Sequence, residues 1–460
     1  MYKKKGHIHF MGIGGIGMSG IAKVLKCQGY EVSGCDLDHQ QKSIFQLKEL
    51  GCPIATAHHS ELCKQDSIDI LVYSSAVSKN HPEIIHAQQR GIPVIPRAIM
   101  LAELMRTKYG IAVAGAHGKT TTTSMISHIL MQAQLHPTVI IGGHLKNIST
   151  NAQLGSGNFL VAEADESDRS LLNLHPTLAL VTNIDLEHLD TYKDLDDIKD
   201  TFKQFLNNLP FYGKAFLCID DPVIRSILPL PHLKVITYGL SEDADMCGKD
   251  LQLEKTTSHC TVYEKNNKLG TLELPLAGEH NIQNALGALA VACDLEIPFS
   301  TSADALKTLQ GIERRFSYHG TYKGAELFDD YAHHPKEIAS ILKVARQRAQ
   351  KKLHVVFQPH RFSRTYHLWN EFLNTFLTSQ IDSLIITDIY PASEAPIPHI
   401  SSEKLVAALQ QQNPAFKTTY IPLDDEFNAI IKNLNEHIEK DDLILFLGAG
   451  KVYQIPYKLK

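Results

Sequence analysis

The sequence has no C-x-x-C pair, although it contains eight cysteines, at positions 27, 35, 52, 63, 218, 247, 260 and 293. Thiols scattered singly give neither a zinc-binding pattern nor a disulfide framework, and they suit a reducing compartment. There is no surplus of positive charge: 45 Lys and Arg stand against 50 Asp and Glu, for a net charge of −5. That balance argues against nucleic acid or an anionic membrane as the chief partner. Any phosphate bound here must be held by local geometry. No run of 18 or more apolar residues exists, so no transmembrane helix is expected. Lys3, Lys4 and Lys5 precede an apolar stretch in the manner of a secretory leader. Glycines between Gly12 and Gly20 break that stretch, and no small-residue cleavage site follows. A cytoplasmic protein is the expectation. Solenoid-length repeats and low-complexity tracts are also missing.

What is present is a long chain of ordinary globular composition, 460 residues with 43% apolar and 21% charged. That length exceeds one hydrophobic core and implies two or three domains. Short apolar runs alternate with amphipathic segments three times. In the first cycle, residues 7–11, 30–35 and 68–73 read as strands and 18–28 as a helix. In the second, 111–114, 159–162 and 178–182 read as strands and 119–132 as a helix. Residues 251–274 alternate apolar and polar and turn at 265–268, which predicts antiparallel strands; 281–293 reads as an Ala/Leu helix. The third cycle predicts strands at 326–329, 353–358, 383–388, 417–422 and 442–447, with a helix over 335–350 carrying Pro at its first turn. Such alternation means parallel sheets with crossover helices. The expected domains are residues 1–107, 108–315 and 316–460.

Two glycine loops carry the chemistry. Gly12, Gly14, Gly15 and Gly17 fit G-x-G-x-x-G between a strand and a helix, with Asp36 at the end of the second strand. Glycines there let the backbone approach a diphosphate, and the helix N-terminus supplies N–H groups. Alone, this loop suits a dinucleotide-dependent dehydrogenase; physically it specifies a diphosphate and a ribose, which a UDP-sugar also carries. The second loop, Gly115, Ala116, His117, Gly118, Lys119, Thr120, Thr121, lies at another strand-to-helix junction. It is a phosphate cradle in which Lys119 reaches the outer phosphates and the Thr120 hydroxyl can ligate Mg²⁺. Val113 stands where the full pattern has its first Gly. A dehydrogenase wastes the second loop and a simple ATPase wastes the first. An enzyme that uses ATP to activate a substrate carrying its own nucleotide diphosphate uses both.

Further polar residues stand at the ends of the expected strands, where ligands gather in open α/β sheets. Glu163 is a sensible Mg²⁺ ligand; His188 and Asp190 follow the next strand. His280, Asn281 and Asn284 could read a purine edge or cap a helix. Arg314 and Arg315 at a domain joint could clamp phosphate or form an inter-domain salt bridge. Asp330, Tyr331, His333 and His334, then His360, Arg361 and Arg364, again follow strands. The doubled histidines lack further ligands at a recognisable transition-metal spacing.

In order along the chain, residues 12–22 (GIGGIGMSGIA), 115–122 (GAHGKTTT), 162–168 (AEADESD), 182–192 (TNIDLEHLDTY), 280–285 (HNIQNA), 314–316, 329–335 (DDYAHHP), 357–365 (FQPHRFSRT), 388–397 (DIYPASEAPI) and 447–450 (LGAG) together resemble the Mur ligase family. The resemblance implies an α/β fold of three domains: an N-terminal Rossmann-like domain for the UDP-sugar, a central P-loop ATPase-type mixed sheet, and a C-terminal Rossmann-like domain helping to bind the amino acid. It implies ATP and Mg²⁺ as cofactors and UDP-N-acetylmuramate and L-alanine as substrates, in a monomer or homodimer. It assigns Gly115, His117, Gly118, Lys119, Thr120, Thr121, His280, Asn281, Asn284, Arg315 and Asp330 to ATP, and Thr120, Glu163 and His188 to metal. The UDP-sugar would meet Gly12, Gly14, Gly15, Gly17, Met18, Ser19, Asp36, Ser74, Ser75 and Arg97. Tyr331, His333, His360, Arg361 and Arg364 would meet the amino acid and the reacting carboxylate. The expected catalytic set is Lys119, Glu163, His188, Arg314, Arg315, His333, Arg361 and Arg364. Ala332 and Glu313 stand where the family usually has Gly.

Overall fold

The computed structural model describes residues 5–56, 65–145, 150–189, 191–310, 313–392 and 394–459; Lys3, Lys4, Cys63 and Asp190 lie outside the described residues. Three sheets follow one another along the chain. The first is wholly parallel, in the spatial order Ile54–Ala55, Glu31–Cys35, His7–Met11, Ile68–Tyr73, Val94–Pro96. Each strand end feeds a helix or a loop at the same edge, so the first glycine loop opens at the carboxyl end of His7–Met11.

The central sheet has ten strands. Its parallel middle, from Met246–Leu253 through Lys234–Gly239, Lys214–Cys218, Leu178–Val181, Tyr109–Ala114 and Phe159–Glu163 to Thr138–Leu145, is extended by antiparallel strands at both margins. On one side Met246–Leu253, Ser258–Glu264 and Asn267–Leu274 form the meander expected from the alternating pattern. On the other, Thr150–Gln153 pairs back on Thr138–Leu145. Leu178–Val181 and Tyr109–Ala114 are buried nearly throughout, as continuous apolar runs in a covered parallel sheet should be. Helices Lys119–Gln132 and Glu279–Asp294 lie together over this sheet; the second buries Ile282 and the whole run from Asn284 to Ala292.

The third sheet runs Ser317–Tyr322, Ala325–Asp330, Leu443–Leu447, Leu353–Phe357, Ser383–Ile386, Thr418–Tyr420. Its first pair is an antiparallel hairpin turning at Lys323 and Gly324, both with positive φ, which suits a tight two-residue turn. Pro335–Arg348 forms the helix after the second strand, with Pro in its first turn.

The cores differ in how they join. One contiguous apolar cluster runs from Ile8 and Phe10 through Leu101 and Met105 to Ile111, Ile126 and Leu289, so the first and second sheets share it. The third sheet has separate clusters, one containing Phe357 and Leu445 and the other Val356 and Phe446. These residues alternate along their strands, so the clusters occupy opposite faces. Polar contacts, described below, tie this third unit to the second. No helix among the described residues is long and apolar enough to cross a membrane.

Candidate active site

The second glycine loop is built by Tyr109–Ala114 ending against Leu178–Val181. Gly115 has φ +134°, and a Cβ there would sit 2.1 Å from Thr182 Oγ1. Gly118 has φ +81°, and a Cβ there would sit 2.6 Å from Asn284 Oδ1. Both positions therefore exclude side chains. Asn183 clamps the loop from below: its Oδ1 accepts from the His117 N–H at 2.8 Å, and its Nδ2 donates to the His117 carbonyl at 3.0 Å. Helix Lys119–Gln132 then starts with no acidic residue in its first turn, leaving its N–H groups and dipole available to an anion.

A cavity of about 470 Å³ opens beside this loop, a fitting size for a nucleotide. His117, Gly118, Thr121, His280, Asn281 and Asn284 line it from the second unit, and Arg315, Phe316, Asp330, Lys336 and Glu337 from the third. Gly115, Lys119 and Thr120 lie outside that lining. Lys119 donates to Glu166 Oε1 at 2.8 Å, to the Ala116 carbonyl at 3.1 Å, and to the Gly115 carbonyl. Asn281 donates to the Ala277 carbonyl at 2.7 Å, the helix-start role. Burial, aided by the Arg315 charge, pulls His280 down to about 4, so its ring is neutral near pH 7. Burial raises Asp330 to about 6 against the pull of Arg315, while the Phe316 and Ala332 N–H groups donate to its two oxygens at 2.8 and 2.7 Å.

The paired arginines divide. Arg314 is spent inside the third unit: its guanidinium lies over the rings of Tyr331 (4.7 Å) and Tyr453 (4.3 Å) and donates to the Gly448 carbonyl at 2.5 Å. It thus holds the 447–450 loop. Arg315 lines the cavity instead, and it is the cation that lowers His280 and opposes the rise of Asp330.

Glu163 and His188 follow strands on either side of Tyr109–Ala114, at the same carboxyl edge of the central sheet but in different ligand groups. The Glu163 carboxylate accepts from the Gly142 N–H at 2.8 Å; burial raises its pKa, opposed by that bond, by Lys119 and by Thr120. His188 Nε2 lies 3.6 Å from Glu166 Oε1 and 3.7 Å from Glu187 Oε2, and these three residues form a close ligand group that does not include Glu163. Glu166 Oε2 is buried with no hydrogen-bond partner. An orphaned carboxylate oxygen beside further oxygens fits a hard divalent cation. His188 also shares a crevice with Arg361 and Arg364. Arg364 Nη1 lies 3.0 Å from His360 Nδ1, His360 stacks on Tyr390, and His333 packs against both Tyr331 and His360. Burial and the Arg364 charge pull His333 down to about 4.

At the first loop, the Gly14 N–H donates to Asp36 Oδ2 at 2.7 Å and the Asp38 N–H to Oδ1 at 3.0 Å, so Asp36 braces the turn. Gly12 and Gly15 complete that turn through the Gly15 N–H donating to the Gly12 carbonyl. Met18 is core at 1% exposure; the Ser19 hydroxyl donates to the Gly15 carbonyl and accepts from Asn151 Nδ2 at 2.9 Å. Ser74 follows Ile68–Tyr73 directly and donates its N–H to the Met11 carbonyl, and Ser75 beside it is exposed. Arg97 lies against Gly17 and donates to Asp165 Oδ2 at 3.0 Å. Asp165 adjoins Glu166, the partner of Lys119, so a short polar chain joins the two loops.

Sequence reading missed Glu166, Asp185, Glu187, Lys336 and Glu337 as site residues. The first three sit within the strings at 162–168 and 182–192, at strand carboxyl ends, which was signal enough to include them. Glu337 reads locally as a helix-start acid, yet its Oε1 lies 3.2 Å from His117 Nδ1, and Lys336 donates to Asp185 Oδ1 at 2.6 Å. The carboxylates of Glu187, Asp185 and Glu337 outweigh burial and hold His117 at about 10.

Two glycine loops at strand-to-helix junctions, an orphaned carboxylate and a cavity lined by two α/β units are the layout of a nucleotide-using enzyme of the acid–amine ligase type. The chain belongs to the Mur ligase family: residues 7–109 match the Mur ligase family catalytic domain, 113–292 the Mur ligase middle domain, and 314–450 the Mur ligase glutamate ligase domain. It is 48% identical to the UDP-N-acetylmuramate–L-alanine ligase of Geotalea uraniireducens (strain Rf4), over 99% of this chain and 97% of that one. It is 47% identical to the enzyme of the same name from Syntrophotalea carbinolica, over 99% of this chain and 97% of that one. Among solved structures, it superposes on the UDP-N-acetylmuramate–alanine ligase of Thermotoga maritima with a TM-score of 0.81 at 25% identity, covering 98% of both chains. The fold also matches a murein peptide ligase from Psychrobacter arcticus, with a TM-score of 0.71 at 22% identity and 98% coverage of both chains.

Proposed function

We propose that this chain joins L-alanine to the lactyl carboxylate of UDP-N-acetylmuramate, forming ADP and phosphate, in the cytoplasmic synthesis of peptidoglycan precursors. The observation that carries this reading is the pairing of two separate anion loops linked through Arg97, Asp165, Glu166 and Lys119. Full-length identity to relatives bearing that name supports it.

A carboxylate is a poor electrophile, and ATP makes it reactive. The lactyl carboxylate attacks the γ-phosphorus, giving an acyl phosphate and ADP. The alanine amine then attacks the acyl carbon, and phosphate departs from a tetrahedral intermediate. Lys119 and the start of helix Lys119–Gln132 hold the outer phosphates; Lys119 exchanges its Glu166 contact for them. Arg315 neutralises phosphate charge from the third unit, and neutral His280, with Asn284, faces the base. Glu163, Glu166, Glu187, His188 and Thr120 would hold Mg²⁺, which supplies charge neutralisation at the phosphates. Arg361 and Arg364 face the crevice of His188 and orient the carboxylates. Closure of the third unit keeps water from the acyl phosphate.

The test is phosphate release from purified protein with MgATP, UDP-N-acetylmuramate and alanine, serine or glycine in turn. Release is expected only with the sugar nucleotide present, and most strongly with alanine. Release independent of the sugar nucleotide would overturn the substrate assignment.

A further inference from the structure

His334 is 3% exposed; its ring caps the start of helix Pro335–Arg348 loosely, towards the Glu337 N–H, and neither ring nitrogen makes a close hydrogen bond. A buried polar ring matched this weakly needs an explanation. The ring does not face apolar packing. Its Nδ1 lies 4.0 Å from Asp185 Oδ2, and its Nε2 lies 3.6 Å from Glu187 Oε1. His117 Nε2 lies 3.3 Å from the same Asp185 oxygen, and the two imidazole centroids are 4.9 Å apart. One nitrogen of each imidazole and one Asp185 oxygen thus lie within 4.8 Å of one another. Ligands bonded to one ion at roughly 2 Å lie about 3.3 Å apart in a tetrahedral set, so small shifts would complete the shell.

The groups behind these three atoms fit the same purpose. Glu337 Oε1 stands 3.2 Å from His117 Nδ1, Glu187 stands behind His334 Nε2, and Lys336 fixes the other Asp185 oxygen at 2.6 Å. Carboxylates behind ligating imidazoles orient the rings and raise their basicity, and the ion takes the place of the proton that these carboxylates otherwise hold on His117 Nε2, which is released to solvent. Two imidazoles and one carboxylate select a borderline transition metal over Mg²⁺. The nearby Glu166, Glu187 and His188 group, with more oxygen donors, has the opposite preference.

We propose that His117, Asp185 and His334 form a binding site for a transition-metal ion of the Zn²⁺ type, which clasps the third α/β unit onto the phosphate loop. His117 and Asp185 belong to the second unit and His334 to the third, so the ion bridges them. His117, Lys336 and Glu337 also line the cavity. An ion seated on His117, within the phosphate loop itself, therefore competes with nucleotide for that loop, a consequence that rests on the nucleotide reading above; the site itself does not.

The site is tested with Co²⁺ as a spectroscopic probe on the chelator-stripped full chain without substrates. One equivalent should give visible d–d absorption without the near-ultraviolet bands of thiolate ligation. His334→Gln and Asp185→Asn should each weaken Co²⁺ binding by at least ~100-fold, and Glu337→Gln by about 10-fold, the effect of a lost supporting carboxylate. His188→Ala should leave the signal intact. Far-UV circular dichroism checks each fold, and if one ligand variant misfolds the other decides. A signal absent from the wild type, retained in the ligand variants, lost in His188→Ala, or carrying thiolate bands overturns the site. Separately, Zn²⁺ should raise the apparent Kd for MgATP in the wild type and not in His334→Gln. Metal binding without that competition overturns the clasp alone; protein that binds no MgATP even when metal-free overturns the nucleotide reading instead.

Discussion

Removing the Lys119 ammonium separates its structural from its chemical role. Its Nζ is held by Glu166 Oε1 at 2.8 Å, with side-chain exposures of 17% and 6% for the pair. In Lys119→Met, Glu166 loses its nearest cation and, among the described residues, keeps the His188 contact at 3.6 Å. Breaking a buried pair from one side costs about 3–5 kcal/mol, chiefly through the charge left behind. Partial access of water to Lys119 places this case near ~3 kcal/mol. For a unit of this size that is a fall in Tm of roughly 6–12 °C. Lys119→Met/Glu166→Gln removes both charges and should restore most of the melting temperature. Turnover should not return: losing the group that meets the transferred phosphoryl costs ~10³-fold or more. Melting curves and phosphate release on the single and double variants check this. A double variant that ligates within ~10-fold of the wild type would refute the reasoning, because Lys119 would then act only as a partner for Glu166.

Gly118→Ala forces a Cβ to 2.6 Å from Asn284 Oδ1 at a φ of +81°, so MgATP should no longer raise Tm, while UDP-N-acetylmuramate still does. Arg97→Ala removes the donor to Asp165 beside Gly17. The KM for the sugar nucleotide should rise ~10–100-fold, the worth of a charged hydrogen bond, with the KM for ATP changed less than about 3-fold. Asp330 has a folded-state pKa raised by burial to about 6, against 3.8 for an unperturbed carboxyl. The folded state therefore keeps a proton that the unfolded chain gives up. Stability is full below pH ~4, falls by on the order of 3 kcal/mol as pH rises towards ~6, and is level above that. Asp330→Asn should flatten the nucleotide-free melting curve over that window; an unchanged slope would refute the assignment.

The three-sheet order was legible because its signals are local. Continuous apolar runs such as 443–447 mark strands covered on both faces, and glycine or proline punctuates the helices that follow. The margins were harder. Thr138–Leu145 and Thr150–Gln153 form a short hairpin whose connection carries no Asn-Gly or Asp-Gly pair, and Ser317–Tyr322 carries His, Gly and Thr between its two tyrosines. Thr150–Gln153 and Ser317–Tyr322 are edge strands, where β-propensity depends strongly on context. Tertiary pairing decides them.

Legibility of the site falls with the sequence distance that each residue's role must span. The brace of the first loop, Asp36, lies 22 positions from Gly14, within one β-α-β unit, where motif spacing reaches it. The partner of Lys119 lies 47 positions on, within a recognisable acidic string. One partner of His117, Asp185, lies 68 positions on; the other lies 220 positions away, on a helix start where Glu337 has a sufficient local explanation as a first-turn acid. Local sufficiency conceals a distant role. The same holds for Arg314 and Arg315, adjacent and chemically identical, one turned onto Tyr453 and the 447–450 carbonyls and the other towards the cavity. Arg314 has φ +60°, and this local backbone turn sends neighbouring guanidiniums to different partners. Residue type states what chemistry is possible at 314 and 315. Only the fold decides which of the two is left to meet a phosphate.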